Sequence, residues 1–179
     1  IGWNLFGHYI VGIDYDTQTI TLFRDDFEEP DSSWMAVPIV LKRNLPFLQG
    51  MVEVVEGERV DVTLYIDLAS DKALELLTRP DQKYTLPDSL TSSYLGTGLS
   101  GDVHGYLGMT RRLWLGGHML SDIPTAFAPA EVRSRQEGAD GIFGNDCIRR
   151  FNVIFDYPHN RLYVKPSKYF SRAFKQPGR

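Results

Sequence analysis

The feature that most constrains the fold is an internal repeat between the two ends of the chain. Residues 1–23, IGWNLFGHYIVGIDYDTQTITLF, align without gaps on residues 143–165, FGNDCIRRFNVIFDYPHNRLYVK, at an offset of 142 positions. Four positions are identical, among them the glycine pair Gly2 and Gly144. Both copies predict the same order: a glycine, polar residues, a short helix, a strand, an Asp-Tyr turn and a second strand. Two similar hairpins could arise by chance, but this shared order favours a duplication.

Short β-branched and aromatic runs, separated by turn residues, indicate an all-β chain. The predicted strands span 9–14, 18–24, 34–42, 47–55, 58–67, 101–109, 111–116, 118–127, 151–156 and 160–165. Helical signals are confined to 71–77 and 145–151, and Asn145 is the candidate N-cap of the second. The acidic stretch 24–33 contains a proline and has no hydrophobic period, so it is predicted to be a linker.

The composition narrows the classes of function. The 179 residues suffice for one domain, and 42% apolar with 23% charged residues is ordinary for a globular protein. The net charge is −4 and the basic residues are not clustered, so nucleic acid is not an expected partner. The single cysteine, Cys147, is predicted to be a packed apolar residue, since it cannot form an internal disulfide or a cysteine-based zinc site. No apolar run reaches the roughly 18 residues of a transmembrane segment.

One strand ends in a carboxylate that needs an explanation. In RVDVTLYIDLAS, Asp67 directly follows Ile66 at the end of a run of β-formers. An unpaired buried charge costs several kcal/mol, so the acid requires partners. Asp67 could be a turn residue that accepts hydrogen bonds from the amides of Ala69 and Ser70. It could also be one half of a catalytic pair, and the strand by itself leaves both readings open.

The order of the motifs resembles the pepsin/retropepsin family of aspartic proteases, in particular the second lobe of the bacterial two-lobe type. The segment GIFGNDCIRRFNVIFDYPHNRLYV at 141–164 is similar to the end of such a lobe. The strand that ends at Asp67 takes the place of the family's Asp-Thr-Gly strand. The glycine-rich stretch at 96–108 takes the place of its flap hairpin, and RLWLGGHMLSDIPTAF at 112–127 that of a later strand pair. The resemblance implies an all-β acid-protease fold, a closed β-barrel lobe with one or two short helices.

The resemblance also divides the chain into parts. These are 1–23, the hairpin tail of a preceding lobe; 24–33, a linker; 34–166, a complete retropepsin-like lobe; and 167–179, a basic C-terminal tail or linker. The preceding lobe's equivalent of Asp67 would lie 142 residues before it, upstream of Ile1, so we expect the chain to be a fragment of a longer protein. A bacterial origin and an exported, periplasmic or cell-envelope location are implied by the resemblance alone.

The implied activity is that of an aspartic endopeptidase without metal or cofactor. Two carboxyl groups about 3 Å apart share one proton, and together they activate a water molecule. Asp67 would supply one acid, and a missing lobe or a second copy of the chain would supply the other. The substrate would be an extended peptide or protein segment held under the flap. The implied site residues are the catalytic Asp67; the supporting turn Leu68, Ala69 and Ser70; the flap residues Gly98, Gly101, His104 and Gly105; and the glycine-helix residues Gly144, Asn145 and Asp146.

Two residues depart from the family's Asp-Thr-Gly pattern. Leu68 stands where threonine is usual, so this lobe cannot supply a hydroxyl between the lobes. Ala69 stands where glycine is usual and adds a methyl group at a crowded point. The alternative function is therefore a catalytically relaxed module of the protease fold that binds a peptide or a partner protein. A β-barrel that binds a small ligand is a third possibility.

Overall fold

The computed structural model describes residues 2–24, 27–98, 101–131 and 138–175. The helices are α1 (Trp3–Phe6) and α2 (Asn145–Ile148). The strands are β1 (Ile10–Asp14), β2 (Thr19–Phe23), β3 (Met35–Lys42), β4 (Leu45–Glu53), β5 (Arg59–Asp67), β6 (Leu74–Thr78), β7 (Thr91–Gly98), β8 (Gly101–Leu115), β9 (His118–Pro129), β10 (Gly141–Gly144), β11 (Phe151–Asp156) and β12 (Arg161–Pro166). The prediction of an all-β chain with one or two short helices is confirmed. In the described part of the chain, no helix has the length and apolar character needed to cross a membrane.

The strands form one sheet that folds back on itself. Its order is β2-β1-β11-β12-β3-β4-β5-β10-β6-β9-β8-β7. An additional pairing joins β4 to β8 and sets Met51 opposite Trp114. As a result β4, β5, β10, β6, β9 and β8 form a closed circuit of neighbours. The main core cluster contains Leu64, Leu74 and Phe127 from strands around this circuit, and all three are fully buried.

Strand β10 lies between β5 and β6, which are far from it in sequence. It runs parallel to β5, which places Gly144 beside Asp67, and antiparallel to β6. The Gly144 amide donates to the carbonyl of Ala73 at 3.0 Å. A Cβ atom added to Gly144 would lie 2.1 Å from the carbonyl oxygen of Lys72, so the backbones approach more closely than any side chain allows. This insertion brings the start of α2 against the turn that follows β5.

The sequence repeat is also a structural repeat with local twofold symmetry. Helix α1 corresponds to α2, β1 to β11 and β2 to β12. Strands β1 and β11 pair antiparallel, and Gly12 lies opposite Ile154, its own equivalent in the repeat. The pairs on either side are Val11–Phe155 and Ile13–Val153. The repeat maps each of these pairs onto the other, because Val11 is equivalent to Val153 and Ile13 is equivalent to Phe155. This register defines a local twofold axis through the pair Gly12–Ile154, at the centre of the four strands β2-β1-β11-β12.

The twofold relation extends to side chains. The Tyr15 hydroxyl donates to Asn145 Oδ1 at 2.9 Å, at the start of α2. Tyr157, the equivalent of Tyr15, stacks on Trp3, the equivalent of Asn145, with ring centroids 6.1 Å apart. Each repeat thus uses its Asp-Tyr turn to hold the first helical residue of the other repeat.

The predicted helix at 71–77 is wrong, because its second half is strand β6. Strand β6 lies between β10 and β9, and Leu74, Leu76 and Leu77 are buried. An inner strand that is covered on both faces shows no alternation of polar and apolar residues, so its sequence resembles that of a buried helix. The sequence also missed β10, and β8 is one strand of 15 residues where two were predicted.

Residues 167–175, the described part of the predicted tail, pack on the lobe around a buried cation. The Arg150 side chain is 1% exposed. Its guanidinium donates to the carbonyls of Tyr169, at 2.7 Å, and of Arg172. The ring of Phe174 is buried and lies 3.8 Å from the guanidinium carbon. Through these contacts, residues 167–175 pack against Arg150 and are held to the rest of the fold.

Candidate functional site

Asp67 ends β5 and opens a tight turn. Its Oδ1 accepts the Ala69 amide at 2.9 Å, and its carbonyl oxygen accepts the Ser70 amide at 3.3 Å. The amide contact expected of a turn residue is therefore present for Ala69, whereas the Ser70 amide binds the backbone instead. The Asp67 side chain is half-buried, so the carboxylate is open to ligand on one side and held by the turn on the other.

Asp67 lines a cavity of about 560 Å³ between its own turn and the N-terminal repeat. The cavity lies on the face of the four-stranded sheet that carries Val11 and Ile13, next to the local twofold axis. Its walls are mainly apolar: Trp3, Leu5, Phe6, Val11, Ile13 and Ile20 from the repeat, with Leu45, Pro46, Ile66, Leu68 and Ala69 opposite. Its polar groups come from Tyr15, Asn44, Tyr65, Asp67, Asn145 and Tyr157.

Three tyrosines set the electrostatics of this cavity. Burial raises the pKa of Tyr65, and the nearby Asp67 carboxylate raises it further. Burial also raises the pKa of Tyr157, with a contribution from Tyr65, and raises the pKa of Tyr15 to about 12, although Arg149 opposes the latter shift. All three phenols therefore stay neutral at physiological pH. Among the described residues of the cavity wall, Asp67 is the only carboxylate.

The residues of the predicted supporting turn divide between two cavities. Leu68 packs against the main core and, with Ala69, lines the cavity of Asp67. Ser70 lines a neighbouring cavity of about 420 Å³, and its Oγ accepts the Lys72 amide at 3.3 Å. Asn145 lines both cavities. The turn therefore separates the two spaces.

The residues at the start of α2 contact the turn that follows Asp67. The Asn145 amide donates to the Ser70 carbonyl at 3.4 Å. The prediction of Asn145 as N-cap is wrong: α2 begins at Asn145, Gly144 holds the cap position, and no side chain caps the helix. The Asn145 side chain accepts the Tyr15 hydroxyl instead. Asp146 is paired with Arg149 at 2.5 Å.

The predicted flap is the hairpin of β7 and β8. Gly98 pairs with Gly101 at its tip, and residues 99–100 lie outside the described part of the chain. The inner face of the hairpin packs on the lobe through Leu95 and Val103, which are buried with Ala126. Of the described residues that wall the cavity of Asp67, none belongs to this hairpin. The structure thus forms the hairpin but does not bring it to Asp67.

His104 and Gly105 lie on opposite faces of the flap hairpin. His104 is exposed and lies edge-to-face with Tyr94, with ring centroids 5.7 Å apart. Gly105 faces the lobe, where an added Cβ atom would lie 2.3 Å from the carbonyl oxygen of Phe127. The glycine at 105 is therefore required by strand packing, and His104 is free to contact a ligand.

Other buried acids serve ion pairs. Glu53 accepts from Arg112 at 2.7 Å, and Asp140 is paired with Arg79 and, at 3.4 Å, with Lys83. Within the described ranges, no three His, Cys, Asp or Glu side chains converge closely enough to hold a metal ion. Glu53 and Asp140 thus serve ion pairs, whereas Asp67 faces a cavity.

The sequence did not point to the tyrosines around Asp67. Tyr15 and Tyr157 were visible as identities in the repeat, but their shared position suggested only a turn. Tyr65 stands two residues before Asp67 on β5, and side chains at this spacing face the same side of a strand. That spacing was the available signal for Tyr65.

Comparison with known proteins identifies the fold. No protein-family model and no curated protein matches the chain. Among solved structures, the chain is similar to a retropepsin-like aspartic protease from Rickettsia conorii, with a TM-score of 0.53 and 12% identity over 75% of this chain and 99% of that chain. Basic 7S globulin from soybean gives a TM-score of 0.45 with 12% identity, covering 79% of this chain and 52% of that one. Conglutin gamma, a basic 7S globulin from lupine seeds, gives 0.39 with 11% identity, covering 65% and 40%. The Rickettsia match shows that this chain has an all-β, retropepsin-like fold.

Proposed function

We propose that this chain is one lobe of an aspartic peptidase in which Asp67 supplies one acid of the catalytic dyad. The observation that carries this proposal is the position of Asp67: half-buried, at the end of β5, and on the wall of a cavity beside a local twofold axis. A second lobe related by that axis would bring its own acid turn into the same cavity, opposite Asp67. That lobe, or a second copy of the chain, provides the partner acid.

The chemistry follows from two carboxyl groups that share one proton. The ionised member takes a proton from a water molecule, and the water oxygen bonds to the carbonyl carbon of the scissile peptide. The protonated member donates a hydrogen bond to the developing oxyanion. The C–N bond then breaks, and the amine leaves with a proton from the pair. The shared proton belongs to both acids, so the pair has two apparent pKa values.

The test compares hydrolysis of unstructured peptides at acid and neutral pH by the protein assembled with its partner lobe and by its Asp67→Asn variant. We expect the variant to lose on the order of 10²–10⁴ in rate, since it removes a general acid–base group. Asp71→Asn is the matched control, because Asp71 lies four residues away and its side chain is 87% exposed. Equal rates for the Asp67→Asn variant and the unchanged protein would end the catalytic proposal.

A second candidate is a peptide- or partner-binding module that has lost catalysis. Leu68 favours it, because this side chain presents an apolar surface to the core and the cavity where a hydroxyl would be expected. The assembled protein would then bind peptides without cleaving them, and Asp67→Asn would leave the affinity unchanged. Turnover that depends on Asp67 would exclude this candidate.

A further inference from the structure

A buried asparagine joins the two repeats next to the cavity of Asp67. Asn152 lies on β11 and is 7% exposed. Its Oδ1 accepts the Tyr15 amide at 2.8 Å, and its Nδ2 donates to Asp16 Oδ2 at 2.8 Å. Both ends of the side-chain amide are therefore used, and both bind the turn between β1 and β2, residues 15–18.

The C-terminal segment binds the same turn. The Lys168 amide donates to Asp16 Oδ1 at 2.6 Å, and Lys168 Nζ donates to the Asp16 carbonyl at 2.6 Å. The Lys168 amide and then the Asn152 side chain hold the pKa of the Asp16 carboxyl below its usual range. The segment itself is fixed by the guanidinium of Arg150. The turn is thus held to the lobe both by β11 and by the C-terminal segment.

This link is present in only one of the two repeats. Both Asp-Tyr turns are closed locally by their own aspartate, whose carboxylate accepts a backbone amide within the turn. In the other repeat, Ile10 stands at the position of Asn152, and Pro158 stands at that of Asp16. Neither of those side chains can donate or accept these hydrogen bonds. Turn formation and the duplication therefore do not require the hydrogen bonds of Asn152.

The turn that Asn152 holds carries a side chain of the candidate site. Tyr15 lines the cavity of Asp67, and its hydroxyl donates to Asn145 Oδ1 at 2.9 Å. The Asn145 amide in turn donates to the Ser70 carbonyl at 3.4 Å, within the turn that Asp67 opens. A displacement of residues 15–18 would therefore change both the wall of the cavity and the support of the Asp67 turn.

We propose that Asn152 is a positioning residue of the Asp67 site. By binding the Tyr15 amide and the Asp16 carboxylate, it fixes the turn at 15–18 and keeps the Tyr15 side chain in the cavity wall. Its effect passes through Tyr15, because Asn152 is not among the described residues that line the cavity. The inference deepens the proposed function and rests on it for the effect on catalysis, whereas the position of Tyr15 is measurable on this chain alone.

The first test follows the tyrosine titrations of the Asn152→Leu variant by ¹³C NMR, with Tyr15 assigned from the Tyr15→Phe variant. Leucine is similar to asparagine in shape and removes both hydrogen bonds. We expect the pKa of Tyr15 to fall from about 12 toward its ordinary value of 10.0, because the released ring gains access to water. The pKa of Tyr84, which burial also raises, should stay high and reports that the fold is intact.

Matched variants separate the link from a general loss of stability. Gln49→Leu also removes a side-chain amide, one that donates to Thr63 on the exposed surface, and should leave the titration of Tyr15 unchanged. Asp16→Ala, at an exposed position, should lower the pKa of Tyr15 and keeps the test valid if the leucine variant does not fold. The double variant should shift it no further than Asn152→Leu alone, since both changes act on one turn. An unchanged titration, or an equal shift in Gln49→Leu, would overturn the inference.

The second test measures peptide hydrolysis by the protein assembled with its partner lobe. Asn152→Leu should lower kcat by about 10–100-fold, because small displacements of a site cost rate, and should change KM by less than about twofold. An unchanged kcat in a variant that releases Tyr15 would overturn the positioning role. A shifted titration without peptide hydrolysis by any form would defeat the proposed activity alone. Hydrolysis with an unchanged Tyr15 titration in Asn152→Leu would defeat this inference alone.

Discussion

At the scale of single residues, Asp67 is defined by neighbours that are remote in sequence. The turn amide of Ala69 holds one carboxylate oxygen, Gly144 lies beside it across a parallel pairing, and Tyr65 shares its cavity. Of these three neighbours, the Ala69 amide binds the carboxylate directly, and none carries a positive charge. Glu53 and Asp140, in contrast, are held by cations.

The repeat-related glycines provide a matched pair of substitutions. Gly144→Ala should lower the free energy of unfolding by about 2–3 kcal/mol, because the new methyl group would lie 2.1 Å from the Lys72 oxygen and the strand must shift. Gly2→Ala should change it by less than about 0.5 kcal/mol, since the described surroundings leave the methyl group free. Denaturant unfolding of both variants measures the difference, and equal losses would contradict the packing argument.

The buried tyrosines predict a loss of stability at alkaline pH. The pKa of Tyr15 rises from an ordinary value of 10.0 to about 12 in the folded protein, so the unfolded chain loses this proton first. The contribution to stability is complete below pH 10 and falls as the pH rises to about 12. Tyr15→Phe should make the alkaline decline shallower, and it should cost about 1 kcal/mol at neutral pH through the lost hydrogen bond to Asn145. Unfolding free energies measured from pH 8 to 12 test both effects, and an unchanged slope would refute the assignment.

At the scale of elements, the insertion of β10 between β5 and β6 positions the site. The parallel register that sets Gly144 opposite Asp67 also places α2 beneath the turn. Neither β5 nor β10 carries a local sequence signal for the other strand, because the two paired residues Asp67 and Gly144 are 77 positions apart in the sequence. The candidate site is therefore a property of the topology rather than of one loop.

The C-terminal segment should depend on a single arginine. Arg150→Met removes the hydrogen bonds to the carbonyls of Tyr169 and Arg172, so that among the described residues the Tyr169 carbonyl keeps only the Arg172 amide as its donor. We expect a loss of about 2–3 kcal/mol. Faster tryptic cleavage at Lys168 and Arg172 should report the released segment. Arg161→Met is the control: its side chain is 43% exposed and its pair with Glu29 contributes about 0–1 kcal/mol. Equal cleavage of the two variants would contradict the anchoring role of Arg150.

At the scale of the whole molecule, the local twofold axis organises the chain. The C-terminal repeat joins β3 through β12, whereas among the described residues the equivalent apolar face of the N-terminal repeat stays partly exposed at Ile20 and Leu22. Asp67 faces the space between the two repeats.

The proposed dyad predicts that catalysis requires assembly. The described chain places one carboxylate in the cavity, so this chain as a monomer should hydrolyse no peptide above background. Together with a partner lobe it should show a bell-shaped dependence of kcat/KM on pH, whose two limbs belong to the acid pair jointly. Steady-state hydrolysis across the acid range measures this profile. Activity of the monomer that survives Asp67→Asn would contradict the two-lobe site.

Features with local signals were predictable. The repeat correctly positioned α1, β1 and β2 against α2, β11 and β12, because helix starts, alternating strands and Asp-Tyr turns depend on neighbouring residues. The end of β5 at Asp67 was also predicted, as was the burial of Cys147. The flap hairpin formed, although its first strand was not predicted and it packs on the lobe away from the Asp67 cavity.

The sequence by itself determined the all-β character, the duplication and the acid at the end of β5. Hydrophobic periodicity and turn preferences depend on residues that are adjacent in the sequence. Only the tertiary structure decided that residues 74–78 form a strand, that 167–175 enclose Arg150, and that three tyrosines line the cavity of Asp67. These features arise where segments distant in sequence are packed together. There, burial and backbone pairing with a remote partner outweigh the conformational preference of the segment itself.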